Sequence, residues 1–204
     1  MYSLIVLTEP LSQSQWSQIG WQRREALSST RLSIDYLQRT DDGRILFGGR
    51  GAPYHFGSQI KDSYDLHSPT HALLQSLLLQ WFPSLQGIRF THSWGGPLGF
   101  SRDWMPRVTF NRTTKIAVMG GYVGQGVAVS NLAARSLVNL ISDQKDVLSE
   151  LPFVGHVSPK WEPEPLRWLG ARLAQAGLAR VDARAERLNR PPTGRSWSEQ
   201  ISAH

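Results

Sequence analysis

Between Lys115 and Val127 the chain reads Lys-Ile-Ala-Val-Met-Gly-Gly-Tyr-Val-Gly-Gln-Gly-Val. An apolar run with strand character meets four glycines in seven positions, and a second apolar-periodic stretch begins at the last of them. Glycine reaches left-handed φ and lets other groups approach the backbone, so a strand must turn sharply here and a helix must follow at once. A helix start leaves amides unbonded and carries about half a positive charge, which suits an anion. Judged on its residues alone, the turn is equally a tight structural corner. It departs from the dinucleotide fingerprint in three ways. In the best register, Gly124-x-Gly126-x-x-Val129, valine stands at the third glycine; no strand follows the helix; and residues 142–145 are loop-like where a ribose-binding carboxylate belongs.

Around this turn the pattern predicts an α+β fold, with an antiparallel or mixed sheet and flanking helices. A strand is expected at 2–8, ended by Pro10, and a short helix or loop at 12–21. Alternation at 31–38, with Leu32, Ile34 and Tyr36 on the apolar side, predicts a half-buried strand. Asp41-Asp42-Gly43 turns it into a returning strand at 44–49. Residues 50–68 read as a long loop. Ser68 is expected to cap a helix at 70–82 with Pro69 at its first position. Strands follow at 87–94, 107–110 and 115–119, then a helix at 126–142. Beyond a Pro- and Trp-rich stretch, 166–188 is expected to form a helix burying Leu166, Leu169, Leu173, Ala176 and Val181. This pattern divides into residues 1–110, 111–145 and 146–204.

Composition removes whole classes of chemistry. The chain has no cysteine, so disulfides, Cys-ligated zinc, iron–sulfur clusters and thiol nucleophiles are out. The longest apolar window, 72–82, is too short to span a bilayer and the N-terminus lacks a signal-peptide pattern, so the chain is expected in the cytoplasm. A net charge of +6 is modest, and the C-terminal arginines interleave with Asp182 and Glu186, as on a solvated helix face rather than a nucleic-acid surface. His67 and His71 have metal-ligand spacing, but Pro69 lies between them and no carboxylate completes the motif, so no metal site is expected.

Taken in order, Trp94-Gly95-Gly96, Arg102-Asp103-x-x-Pro106, a strand, Gly120-Gly121-x-x-Gly124-x-Gly126 and a helix resemble the C-terminal region of FAD-dependent oxidoreductases of the D-amino-acid oxidase, glycine oxidase and sarcosine oxidase superfamily. The hairpin at 42–51 and the segment Trp161-Glu162-Pro163-Glu164-Pro165-Leu166-Arg167-Trp168 are most similar to γ-glutamylputrescine oxidase-like members. The resemblance implies oxidation of an amine or polyamine derivative by hydride transfer to FAD. It places Gly121, Tyr122, Val123, Gly124, Gln125, Gly126 and Val127 over the pyrimidine side of the flavin, where amides offset the charge of the reduced ring. Tyr122 suits a packed aromatic equally. His92 and Trp94, one residue apart on one strand face, and Tyr54 are expected to line a cavity for a small amine substrate.

The resemblance has gaps. Amino-acid-oxidising members carry arginines for the substrate carboxylate at positions that match Leu98 and Gly124 here, which favours an amine. Arg102 could replace one of them or form a structural pair with Asp103. The match to the oxygen-activating lysine of sarcosine oxidases is Gln59. No strand–GxGxxG–helix for the ADP half of FAD occurs in these residues, so the N-terminal Rossmann unit is expected to be missing and the chain to look like an incomplete C-terminal half. It would then need a complementary FAD-binding half or a second copy of itself. The other reading is a non-catalytic remnant or interaction module that keeps the fold.

Overall fold

The computed structural model describes residues 1–49 and 53–193, and they divide into two compact units. Of the described residues, the first comprises 1–97 and 164–193, and the second 98–163. Strand pairing in both is antiparallel, with helices alongside, so the class is α+β. No helix among the described residues is long and apolar enough to cross a membrane.

In the first unit a four-stranded sheet runs β2-β3-β1-β4, where β1 is Tyr2–Thr8, β2 Asp35–Arg39, β3 Ile45–Gly49 and β4 Phe90–Pro97. β1 alternates strictly, with Tyr2, Leu4, Val6 and Thr8 buried. These side chains meet Leu37 of β2, Ile45 and Phe47 of β3, and Leu74, Leu77 and Leu78 of helix α2, Ser68–Trp81. Gly95 of the Trp-Gly-Gly motif is opposite Leu4, and a Cβ there would come within 2.0 Å of the Leu4 side chain. The motif glycine is therefore needed to let the core leucine in. A short helix α1, Gln13–Ile19, starts in a reciprocal cap in which the Gln15 amide donates to Ser12 Oγ and the Ser12 amide to Gln15 Oε1.

Four local expectations shift. The strand expected at 31–38 starts at Asp35 and has the opposite face buried: Asp35 and Leu37 point inward while Ile34 is 67% exposed. Asp35 can be inside because its carboxylate accepts from the Ser29 amide and hydroxyl, both at 2.8 Å. β4 starts at Phe90 instead of 87 because residues 83–88 are spent on a 3₁₀ turn after α2, closed by the Ile88 amide donating to Leu85 O. The cap of α2 is His67, not Ser68; its carbonyl accepts from the Thr70 and His71 amides. The loop at 53–68 contains short 3₁₀ turns at Phe56–Ser58 and Asp62–Leu66, and its first part, residues 50–52, lies outside the described residues.

The helix at the end of the first unit, α4 (Leu166–Leu188), has the expected length and the wrong face inward. Leu166, Leu169 and Leu173 are 60%, 46% and 73% exposed, Ala176 also faces out, and Val181 is half-buried. The inward stripe is Trp168, Ala171, Gln175, Leu178, Asp182 and Ala185. A buried carboxylate that finds backbone donors rotates the helix away from its leucine stripe.

The second unit is a hairpin, β5 (Arg107–Asn111) and β6 (Ile116–Gly120), packed on helix α3, Gly126–Ser142. Asn111 Oδ1 accepts from the Thr113 and Thr114 amides to close the hairpin turn. The core is small: Val108, Ala133 and Phe153, with Tyr122, Leu132 and Leu137 against it. The outer edge of β5 is taken by residues 153–155, through Val108 N to Phe153 O at 2.9 Å and Gly155 N to Val108 O at 2.8 Å.

Candidate functional site

The open face of the four-stranded sheet follows from register. Residues directly opposite one another in antiparallel strands project to the same side. One row across the sheet reads Tyr36, Gly48, Ile5, Trp94, and the next reads Gln38, Leu46, Leu7, His92. All alternate with the buried set, so they lie on the face away from α2. Trp94 is 37% exposed and His92 is exposed, while Tyr36, Ile5, Leu7 and Leu46 are half-buried. The result is an apolar floor with polar ends. His92 and Trp94 are the pair expected from the sequence, and Tyr36 and Ile5 join them only in the folded sheet. Alternation could place Tyr36 with Gln38, yet only the pairing with β1 and β4 brings them into one row with Trp94.

The backbone of Trp94 is held by a side chain of α2. His71 of α2, buried at 6% exposure, donates from Nε2 to Trp94 O at 3.2 Å. His67 meets Thr70 Oγ1 through Nδ1 at 2.8 Å. Neither histidine joins a ligand cluster, and no group of three or more His, Asp or Glu suited to a metal occurs among the described residues.

Tyr54 belongs to the loop after β3 and is 7% exposed. Its hydroxyl donates to Glu164 Oε1 at 2.6 Å and shares a hydrogen bond with Ser58 Oγ at 3.1 Å. Glu164 also accepts from the Gly57 amide at 2.9 Å, the Trp168 amide at 3.0 Å, and Arg167 Nε and Nη2 at 3.1 and 3.0 Å. Desolvation pushes this carboxyl upward, but the donors from Tyr54, Gly57, Arg167 and Trp168 outweigh it and bring it down to about 2. Next to Tyr54, His55 stacks on Tyr64 at 3.5 Å and meets Tyr2 edge-on at 5.4 Å. Burial first, then the positive charge of Arg172, the N-terminus and Lys61, lowers its pKa from the ordinary value, which favours the neutral imidazole.

The glycine turn of the second unit is exposed and its backbone is unusual. Gly121 and Gly124 have φ of +76° and +89°, and Val123, a β-branched residue, has φ of +50°. Left-handed backbone at a β-branched residue is an outlier that the surrounding turn must enforce. The Gln125 amide donates to Tyr122 O at 2.8 Å, and Gln125 O accepts from Ala128 and Val129. Among the described residues no acceptor serves the amides of Val123, Gly124, Gly126 or Val127. These amides stand at the head of a helix of 17 residues whose second residue, Val127, is fully exposed. A Cβ on Gly124 would meet nothing within 4 Å, so open space lies before the turn. The Tyr122 ring packs on Gly126 and the small core, and its hydroxyl is buried without a partner.

The Arg-Asp motif pairs differently from the sequence expectation. Arg102 makes a fork with Glu162 through Nε and Nη2 at 3.0–3.2 Å, and Asp103 Oδ2 accepts from His156 Nε2 at 2.6 Å. Adjacent residues on a turning loop diverge, so each finds a partner some 50–60 residues on. Desolvation pushes Asp103 upward, but the hydrogen bonds from His156 and the Met105 amide bring it down to about 2.

The first unit thus presents an antiparallel sheet with an exposed aromatic face, and the second a glycine turn with unclaimed amides. In fold, glycine oxidase from Geobacillus kaustophilus superposes with a TM-score of 0.54 at 13% identity, over 77% of this chain and 39% of that one. L-proline dehydrogenase from P. horikoshii gives 0.52 at 17%, over 72% and 37%. The chain belongs to the FAD dependent oxidoreductase family, whose model matches residues 2–140. FAD is the cofactor of that family. Among curated relatives, gamma-glutamylputrescine oxidoreductase of Escherichia coli is 32% identical over 123 residues, 58% of this chain and 26% of that protein. A probable oxidoreductase, OrdL, of Rhizobium meliloti is 29% identical over 134 residues, 62% and 28%. The chain thus spans less than a third of the length of these relatives.

Proposed function

We propose that this chain supplies the substrate-facing sheet and one flavin-facing turn of an FAD-dependent amine oxidoreductase. The observation that carries the reading is the set of unclaimed amides at Val123, Gly124, Gly126 and Val127, with open space at Gly124. Donors fixed in place before charge develops need no reorganisation, which makes such a turn suited to an anionic ring edge. The residues present therefore fit the group. When bound, FAD supplies the acceptor for a hydride from the carbon bearing the amine.

The chain's own residues would do the rest. Gly121 through Val127 would hold the electron-rich edge of the ring by backbone donors and the helix dipole. Trp94, Ile5 and Tyr36 would form an apolar floor that keeps water from the amine-bearing carbon, with His92 at its rim. Tyr54 would act as a wall more than a hydrogen-bonding group, since its hydroxyl is committed to Glu164. The lack of arginine at Leu98 and Gly124 supports an amine over a simple α-amino acid.

The reading includes a partner that binds the ADP half of FAD. Strand β6 supports this: Ile116, Val118 and Met119 are 60%, 38% and 42% exposed, Ala117 is exposed too, and one edge of the strand is unpaired among the described residues. A strand apolar on both faces belongs inside a sheet. A complementary FAD-binding half would cover it, and we place the pair in the cytoplasm.

The test is to co-express the chain with the N-terminal half of a relative and record absorbance between roughly 350 and 500 nm, where the cofactor's own chromophore absorbs. A yellow complex with the half, colourless protein without it, and loss of colour on Gly124→Val are expected. A colourless co-complex overturns the reading, and a stable dimer of the chain alone by light scattering favours a self-associating module.

A further inference from the structure

Helix α4 lies beyond residue 140, where the match to the family model ends. A surface helix is ordinarily held by an apolar stripe. Here only Asp182 of its 23 residues is buried, and Leu166, Leu169 and Leu173 face outward. Its inward apolar residues, Trp168, Ala171, Leu178, Val181 and Ala185, are only half-buried, and polar anchors near the two ends add to their hold. Before its first turn, Glu164 takes the Tyr54 hydroxyl, the Gly57 amide and the Trp168 amide. About 24 Å further along the axis, at 1.5 Å per residue, the second anchor follows. There Asp182 accepts from the Leu32 amide at 2.9 Å and the Ser33 amide at 3.1 Å, and is also bonded to the Ser33 hydroxyl. One turn beyond, Glu186 pairs with Arg31.

The two anchored loops adjoin the same end of the sheet. Residues 31–33 precede β2, and residues 54–57 follow β3, whose Gly49 pairs with Asp35. We propose that α4 is a latched strap. It is fastened across that end of the sheet by two carboxylates and is released as a unit while β1–β4 and α2 stay folded. Two anchors of hydrogen bonds and an ion pair can open together and leave the core intact, whereas a fully packed apolar seam separates only with the core it belongs to. Release frees the loop that holds Tyr54 and the segment leading into Tyr36. The inference does not depend on the flavin reading, because it concerns only how α4 is held.

Hydrogen–deuterium exchange of the full chain, read peptide by peptide, tests it. In the wild type, α4 amides are expected to exchange faster than those of β1 and α2. In Asp182→Asn and in Glu164→Gln, α4 and its anchored loops should exchange about tenfold faster or more, the loss expected when a hydrogen bond to a charged acceptor is weakened, with β1 unchanged. Should Asp182→Asn fail to fold, Arg31→Ala at the half-exposed Glu186 and the wild-type profile decide. Exchange of α4 at the same rate as β1 in the wild type, or a uniform rise across the chain in the variants, overturns the proposal.

Discussion

The phenol ring of Tyr36 lies over the Cα of Gly48, its partner across the β2–β3 ladder. A Cβ built on Gly48 would approach Tyr36 Cζ to 2.4 Å and its hydroxyl oxygen to 2.5 Å. Glycine at 48 lets an aromatic ring lie down on the sheet instead of standing away from it, and Ile5 and Trp94 continue the row beyond.

Gly48→Ala should therefore displace the Tyr36 ring. Overpacking of this kind costs on the order of 1–3 kcal/mol, less where the neighbour can swing out to solvent. Urea denaturation gives the stability. Intrinsic fluorescence of Trp94 should change with it, since the same row is disturbed. Full recovery of stability in Gly48→Ala/Tyr36→Ala would confirm that the ring is the obstacle, and no recovery would refute it.

Tyr122→Phe tests the orphan hydroxyl in the glycine turn. A buried donor without an acceptor carries a desolvation cost of roughly 1–3 kcal/mol, so its removal should leave stability unchanged or raise it by about 1 kcal/mol. Destabilisation beyond that amount would mean the hydroxyl has a partner.

Acid sensitivity follows from Asp103 and Glu164. Both are held down to about 2 in the folded chain, whereas unfolded carboxyls titrate near 4. Between those values the unfolded chain binds more protons than the folded one. The stability due to these groups is thus complete above about pH 4 and is lost as pH falls through about 2. Urea midpoints measured from pH 7 to pH 2 should stay level and then drop in that window, with a shallower drop in Glu164→Gln. A level midpoint down to pH 2 would contradict it.

Leu169→Lys/Leu173→Lys changes residues that look like core in the sequence and are exposed in the structure. Surface substitutions stay within about 0.5 kcal/mol each, so the melting temperature should barely move. A loss of several kcal/mol would place those leucines in an interface.

Some of this architecture could be read from residues alone. The β1 run from Tyr2 to Thr8, the Asp-Gly turn at 42–43, the hairpin closed by Asn111 and the helix starting at Gly126 are all present in the structure. Each depends on neighbours a few positions apart: strand period, turn chemistry and helix capping act over a few residues and are written in consecutive letters. The family was legible because its glycines and Trp-Gly-Gly stand in a fixed order.

What tertiary structure alone decided is which face of an element is inside. β2 buries Asp35 and Leu37 rather than Ile34, and α4 buries Asp182 rather than Leu169 and Leu173. In both cases the sequence offers an apolar stripe, and donors outside the element, Ser29 for Asp35 and the distant Leu32 and Ser33 amides for Asp182, override it by satisfying a carboxylate that would otherwise be too costly to bury. The pairing of Arg102 with Glu162 and of Asp103 with His156, and the row that brings Tyr36 to Trp94, are likewise matters of register and loop path. Local propensity specifies an element. Only the folded chain supplies the partners that orient it.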